Sequence, residues 1–388
     1  MKKIVILSAT RAEYGLLKRV MVKLIKHPDV DARIAITGAH LSEKHGNTYK
    51  EIEADGITID RAINILSDDD TPIEISKSMS RALTEFAYYF EEIRPDALIV
   101  LGDRYETLAV CCAAMNMRIP ILHICGGETT EGAIDEAIRH SITKMSYLHF
   151  ATNEIYRKRV IQLGEDPKRV FSVGSLGVEN ILNEKLMSLE QLGDSINFDL
   201  TGNNAVVTYH PVTLEYEQAG KEFQEILDAL DSVNMKYIFT KANADVGGHE
   251  INSMIDRYAY NHENVFAIES LGMIRYLSAV KYAKLVIGNS SSGISEVPSF
   301  HIPTINIGDR QRGRIQAKSV INCAPQKEDI ICAIKKGLSK KFRDEISDVV
   351  NPYGNGNSSD KIIEKIEEFI IYDKVDLKKR FFDVKFEL

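Results

Sequence analysis

The chain of 388 residues is poor in positive charge, in patterned cysteines and in long apolar runs. Its 48 Lys and Arg stand against 56 Asp and Glu, a net charge of −8 with a pI near 5.8. A general nucleic-acid binder, which needs clustered cations along a phosphate backbone, is excluded, and any anionic ligand must be met by a few local groups. No apolar run approaches the roughly 20 residues that cross a bilayer. The apolar stretch at residues 4–7 is too brief for a signal-peptide core, so no membrane is implied and a cytoplasmic location is expected. The five cysteines (111, 112, 125, 323, 332) are odd in number and form no C-x-x-C pair, which argues against a disulfide framework and against zinc. No strand runs into G-x-G-x-x-G, and neither a P-loop nor H-E-x-x-H occurs. Dinucleotide dehydrogenases, P-loop ATPases and that class of metalloenzyme drop out, so neither metal nor cofactor is expected. The chemistry falls to side chains.

What is present is an alternation. Short β-branched runs at residues 3–8, 33–37, 97–101, 119–124 and 147–151 are separated by longer amphipathic stretches, the pattern of parallel βαβ units. The rhythm restarts after a polar stretch near residues 183–204, with strands expected at 205–209, 237–240, 265–268, 285–287 and 304–307. With 44% apolar residues over this length, two lobes are expected, because single cores stop growing near 250–300 residues. After the turn-rich Asn351-Pro352-Tyr353-Gly354-Asn355-Gly356, Ser359 or Asp360 is placed to cap a last helix whose apolar positions Ile362, Ile363, Ile366, Phe369 and Ile370 keep helical spacing.

In open parallel sheets, ligands bind beyond the carboxyl ends of the strands. The first strand ends in Ser8-Ala9-Thr10-Arg11-Ala12-Glu13-Tyr14, putting a guanidinium where a phosphate or ribose could be met; the ordinary reading of Arg11 is loop solvation. Residues 97–101 run into Gly102-Asp103-Arg104-Tyr105-Glu106, where Asp103 either faces the ligand or merely caps a helix. Next come His123-Ile124-Cys125-Gly126-Gly127-Glu128 and Asp135-Glu136; the glycine pair would let a ligand approach closely, and Arg139 would be an ordinary surface partner of Asp135 one helical turn away. In the second half, His210-Pro211 follows a strand, and the imidazole could donate to a diphosphate or protonate a leaving group. Gly288-Asn289-Ser290-Ser291-Ser292-Gly293-Ile294-Ser295-Glu296 offers hydroxyls and amides to an anion, with Glu296 placed to accept two ribose hydroxyls.

Together, Thr10-Arg11-Ala12-Glu13-Tyr14, Gly102-Asp103-Arg104, His123-x-x-Gly126-Gly127-Glu128, Asp135-Glu136-x-x-Arg139-His140, His210-Pro211 and Gly288-Asn289-Ser290-Ser291 resemble the hydrolysing UDP-N-acetylglucosamine 2-epimerase family of sialic-acid and legionaminic-acid biosynthesis. Gly46-Asn47-Thr48-Tyr49 and Asn306-Ile307-Gly308-Asp309-Arg310-Gln311 extend the resemblance over nearly the whole chain. It implies an α/β fold of the glycosyltransferase-B type: two Rossmann-like lobes (1–182 and 183–360), a cleft between them, and a terminal helix and tail (361–388) returning to the first lobe. A homodimer through the first lobe is the usual assembly of such proteins. By position, Arg11, Tyr14, Arg104, His210, Asn243, Ser290, Ser291, Glu296 and Arg310 would meet UDP and its sugar, while Asp103, Glu128 and Asp135 would surround the sugar ring. One departure stands out: many relatives carry Glu where this chain has Cys125.

The reaction explains the residues. A hexose C2–H has no adjacent carbonyl, so inversion by simple deprotonation is prohibitive, whereas loss of the anomeric C–O bond acidifies it. A base then yields a glycal and UDP, and water adds at C1 while an acid protonates C2 from the other face. Two faces need at least two carboxyl groups. The alternatives are the same reaction on a UDP-2,4-diacetamido-trideoxy sugar, a non-hydrolysing 2-epimerase (whose relatives usually read Thr-Arg-Pro-Glu where Thr10-Arg11-Ala12-Glu13 stands), a UDP-sugar glycosyltransferase on the same fold, and a non-catalytic sensor.

Overall fold

A computed structural model describes residues 1–43, 46–67, 71–129, 134–211, 216–242 and 248–385. Among the described residues, thirteen strands form two parallel sheets. The first holds β1 (Lys2–Ser8), β2 (Val30–Thr37), β3 (Ile59–Ile63), β4 (Ala97–Leu101), β5 (Ile121–Ile124), β6 (Leu148–Ala151) and β7 (Val170–Ser172) in the order β3-β2-β1-β4-β5-β6-β7. The second holds β8 (Asn204–Thr208), β9 (Lys236–Thr240), β10 (Val265–Ile268), β11 (Leu285–Gly288), β12 (Thr304–Ile307) and β13 (Val320–Cys323) in the order β10-β9-β8-β11-β12-β13. In each sheet the order reverses between the first and fourth strands, and residues following those strands converge there.

The central strands are apolar throughout because both faces are covered. In β1, Ile4 and Ile6 enter one core while Val5 and Leu7 enter the other. In β8, Ala205 and Val207 face one layer and Val206 the opposite one. The strands not foreseen are β3, β7 and β13. All three are sheet edges, only partly buried, so they lack the continuous apolar run that betrays a central strand.

Two compact units result, one of Met1–Glu179 with Tyr353–Leu388, the other of Asn180–Pro352. The polar stretch expected as a boundary contains a helix, Leu189–Ile196, closed by a Ser188–Gln191 capping box and anchored by buried Leu192 and Ile196. Residues 353–360, expected with the second lobe, pack with the first. Ser175 N donates to Tyr353 O (2.6 Å), and Ser359 donates from its amide (2.7 Å) and its hydroxyl (2.5 Å) to buried Glu179. The last helix, Ser358–Ile366, buries Ile362 and Ile366 in the same core as Leu17 and Val20 of the helix Arg11–Ile25. No helix among the described residues is long and apolar enough to cross a membrane.

Candidate active site

In the first unit the site grows from the ends of β4 and β5. Gly102, at φ +78, turns the chain out of β4, and its amide donates to Ile124 O (3.0 Å). His123 Nε2 donates to Gly102 O (2.8 Å) and its Nδ1 accepts from Thr143 Oγ1 (3.4 Å). Burial pushes this imidazole down to about 3, so His123 is a neutral strut rather than an acid or base. The turn delivers Asp103, which is not the helix cap: Arg104 holds that position ahead of the helix Tyr105–Asn116.

Asp103 instead receives Arg139, and here the structure corrects the surface-pair reading. Arg139 is only 4% exposed. Its fork reaches Asp103 through Nη2, and Glu128 O (2.8 Å) and Glu136 Oε2 (2.9 Å) through Nη1. Asp135 opens the helix Asp135–Met145. Burial pushes its carboxyl up and the charge of Asp103 adds to the rise, against Arg139 and Arg104. Glu128 is steadied by Thr152 Oγ1 (3.0 Å). Arg139 thus holds the carboxylates of Asp103 and Glu136 and the carbonyl of Glu128, with the Asp135 carboxyl within reach of its charge.

The glycine pair serves the fold rather than a ligand. A Cβ on Gly127 (φ +82) would sit 2.4 Å from Tyr156 O, and one on Gly126 would sit 3.0 Å from His123 Nδ1. The closely approaching groups are the backbone of the helix Glu154–Gln162 and the His123 ring. Cys125 adopts φ +67, and burial holds its thiol well above the usual range, so it stands as a protonated thiol.

In the second unit, β8 and β11 approach so closely that a Cβ on Gly288 (φ +131) would lie 1.9 Å from Thr208 O. Asn289 follows and splints His210, accepting His210 N on Oδ1 (2.8 Å) and donating from Nδ2 to His210 O (2.7 Å). Arg310 Nη1 (3.1 Å) and Gln311 Nε2 (2.8 Å) both donate to Asn289 O. His210, Ser290 and Arg310 are thereby gathered around one asparagine. Ser290 caps the short helix Ser291–Ser295. Tyr276 OH donates to Ser292 Oγ (2.9 Å), which donates to Glu296 Oε2 (2.6 Å). Burial pushes Glu296 up.

Comparison with known proteins gives the family. Residues 22–367 match the model of the UDP-N-acetylglucosamine 2-epimerase family. The chain belongs to that family. It is 44% identical over 385 residues to a hydrolysing GDP/UDP-N,N'-diacetylbacillosamine 2-epimerase of Campylobacter jejuni, covering 99% of each chain. It is 39% identical to polysialic acid biosynthesis protein P7 of Escherichia coli, covering 99% of this chain and 98% of that one. The fold matches a Neisseria meningitidis UDP-GlcNAc 2-epimerase solved with UDP-GlcNAc at TM-score 0.75 and 18% identity, over 95% of this chain and 100% of that one. The expected two-lobed, glycosyltransferase-B-like architecture is therefore the observed one.

Against this family frame, the residues singled out in the sequence fall into three groups. Asp103, Glu128, Asp135 and Arg104 lie together in the first unit, while His210, Ser290, Ser291, Glu296 and Arg310 lie in the loops after β8, β11 and β12 of the second. Arg11 is exposed at the start of its helix and engages Glu51. Tyr14 is 3% exposed, packs in the core and gives its hydroxyl to Asp55. Asn243 lies outside the described residues, as do Thr130, Glu131, Gly132, Ala133, Val212 and Thr213. Sequence reasoning missed the roles of Arg139 and Asn289. For Arg139 the available signal was its i,i+3 spacing from Glu136, which is equally common on surfaces.

Proposed function

We propose that the protein cleaves a UDP-linked 2-acetamido sugar with water while inverting C2, releasing UDP and the free epimerised sugar; from UDP-N-acetylglucosamine the product is N-acetylmannosamine. The Asp103 carboxylate held by buried Arg139, with the charge of Asp103 acting on the Asp135 carboxyl and Glu128 joined to the same guanidinium through its carbonyl, in a member of this family, carries the reading. A glycosyltransferase of the same fold has no use for several carboxyl groups around the sugar. One carboxylate takes the C2 proton, the C–H electrons form the C1–C2 double bond, and the anomeric C–O bond breaks with its electrons passing to UDP. Water then adds at C1 and a carboxylic acid returns a proton to C2 from the opposite face. Asp135, pushed up by burial and by the neighbouring Asp103, suits the role that must begin protonated; Asp103 suits the base. His210, Ser290, Ser291 and Arg310 stabilise the departing diphosphate, and Glu296 accepts the ribose hydroxyls. We place the enzyme in the cytoplasm, acting as a homodimer, in synthesis of sialic-acid-type sugars.

A second substrate, UDP-2,4-diacetamido-2,4,6-trideoxyglucose, is favoured by the Campylobacter relative, whose name carries that sugar. Incubation with each UDP-sugar in D₂O, followed by proton NMR, decides. Release of UDP with free sugar deuterated at C2 is expected, and Asp103→Asn should lower the rate by roughly 10²- to 10⁴-fold. Free sugar without deuterium at C2, or no turnover of either substrate, overturns the elimination route.

A further inference from the structure

Next to Arg104 the first unit buries two glutamates that this reaction does not use. Glu106 is fully buried and receives both Nε and Nη2 of Arg104 on Oε1, each at 2.9 Å. Its Oε2 has no hydrogen-bond partner among the described residues. Glu13 is also buried; Oε2 accepts Ala9 N (2.6 Å), and Oε1 has no partner among the described residues. The two carboxyl groups share one neighbourhood. A Cβ on Gly38 would meet Ala9 O at 3.0 Å and Glu106 Oε1 at 3.2 Å, and Ala9 is the residue whose amide Glu13 holds.

Two desolvated carboxylates served by one guanidinium leave an excess negative charge and two unsatisfied oxygens, a costly state in a protein interior. One proton bound by the pair removes the excess charge. Burial pushes Glu13 up to about 7, with Glu106 adding to the rise and the Ala9 amide and Arg104 opposing it. The other groups facing this pocket do not supply the missing charge. His40 is bonded to Ser8 Oγ (2.8 Å) and Thr48 Oγ1 (2.9 Å), and burial holds it down to about 4. Arg11 is engaged by Glu51.

We propose that Glu13 and Glu106 form a proton-sharing carboxyl pair that aims Arg104 at the anionic part of the substrate, making both glutamates positioning residues. This rests on the UDP-sugar reading above. Glu106 grips the Nε and Nη2 edge of the Arg104 fork and so leaves the Nη1 end to the ligand. With Glu13 protonated, Arg104 neutralises one carboxylate; with Glu13 ionised, two compete for it and the ligand's negative charge is less well received. The same arrangement explains the Glu in Thr10-Arg11-Ala12-Glu13. Its position three residues after Thr10 suits a capping box, and Glu13 N does donate to Thr10 Oγ1 (3.3 Å), but its carboxyl turns inward to Ala9.

The test is UDP affinity by calorimetry at pH 6 and pH 8, with steady-state kinetics, for wild type, Glu13→Gln, Glu106→Gln, Arg104→Ala and the Arg104→Ala/Glu106→Gln double variant. Ratios to wild type at each pH cancel the titration of UDP's own terminal phosphate. Glu106→Gln should weaken UDP binding and raise KM about tenfold, with a much smaller change in kcat. The double variant should be no weaker than Arg104→Ala alone. Glu13→Gln, a neutral mimic of the shared-proton state, should lose the extra weakening that wild type shows at pH 8. Additive losses in the double variant, or Glu13→Gln following wild type at both pH values, overturn the proposal. If Glu106→Gln does not fold, Glu13→Gln carries the same decision alone. Failure of wild type itself to bind UDP overturns the UDP reading, and this pair's role with it, whatever the variants do.

Discussion

Replacing Arg139 by methionine keeps the bulk of the side chain and removes its charge and its donors. The buried fork serves two carboxylates and one carbonyl. Breaking a buried pair by deleting one partner costs about 3–5 kcal/mol. Here the abandoned side chains of Asp103 and Glu136 are 25% and 32% exposed, so water recovers part of the loss. About 2–3 kcal/mol remains, and the lost hydrogen bond to Glu128 O adds about 1 kcal/mol. Arg139→Met should therefore destabilise the first unit by about 3–4 kcal/mol, where a solvent-exposed helix pair would be worth only a few tenths. Urea unfolding followed by circular dichroism measures it. With two units in the chain, only the transition belonging to the first should move, by roughly 1–4 M for slopes of 1–3 kcal/mol/M. Arg139 also opposes the rise of Asp135, so its loss should push that carboxyl further up and carry the corresponding limb of the pH–rate profile to higher pH. A loss below about 1 kcal/mol, with an unmoved profile, would refute the argument that Arg139 organises the carboxylates.

Three further outcomes follow from the same geometry. Gly127→Ala forces a Cβ to within 2.4 Å of Tyr156 O at φ +82, so a loss of about 3 kcal/mol or more is expected, read as a drop in thermal midpoint; an unchanged midpoint would contradict the close packing. Glu296→Gln should weaken UDP binding about tenfold in calorimetry, and a change within twofold would remove Glu296 from the ribose site. Glu13 is raised from 4.5 to about 7 in the folded chain, so between those values the folded state binds more protons than the unfolded one. Stability should fall as pH rises through that window, by up to roughly 3 kcal/mol, and level off above it. In Glu13→Gln the fall should vanish, which urea midpoints at pH 5 and pH 8 will show.

The sequence alone determined the central strands of both sheets, because strands buried on both faces must be written as unbroken apolar runs, as residues 97–101 and 285–287 are. It also marked positions, among them Asp103, Glu128, Asp135 and Ser290, that lie after such runs or at the opening of the next helix, on the side of a parallel sheet where ligands are expected. The family motifs added the reaction, which no periodicity contains. Only tertiary structure decided which of two local meanings a residue takes. Arg139 has the spacing of a surface pair, yet it is buried because β4 and the Glu128 loop close over it. Gly126 and Gly127 invite a ligand on paper but admit a helix backbone and an imidazole ring. Tyr14 stands beside Arg11 in the chain, but the helix they share turns Tyr14 into the core and leaves Arg11 in solvent. The strands β3, β7 and β13 were illegible because each is short and only partly buried, so none is written as a continuous apolar run. Local sequence fixes what each residue is able to do; burial and charge brought from distant segments fix which of those things it does.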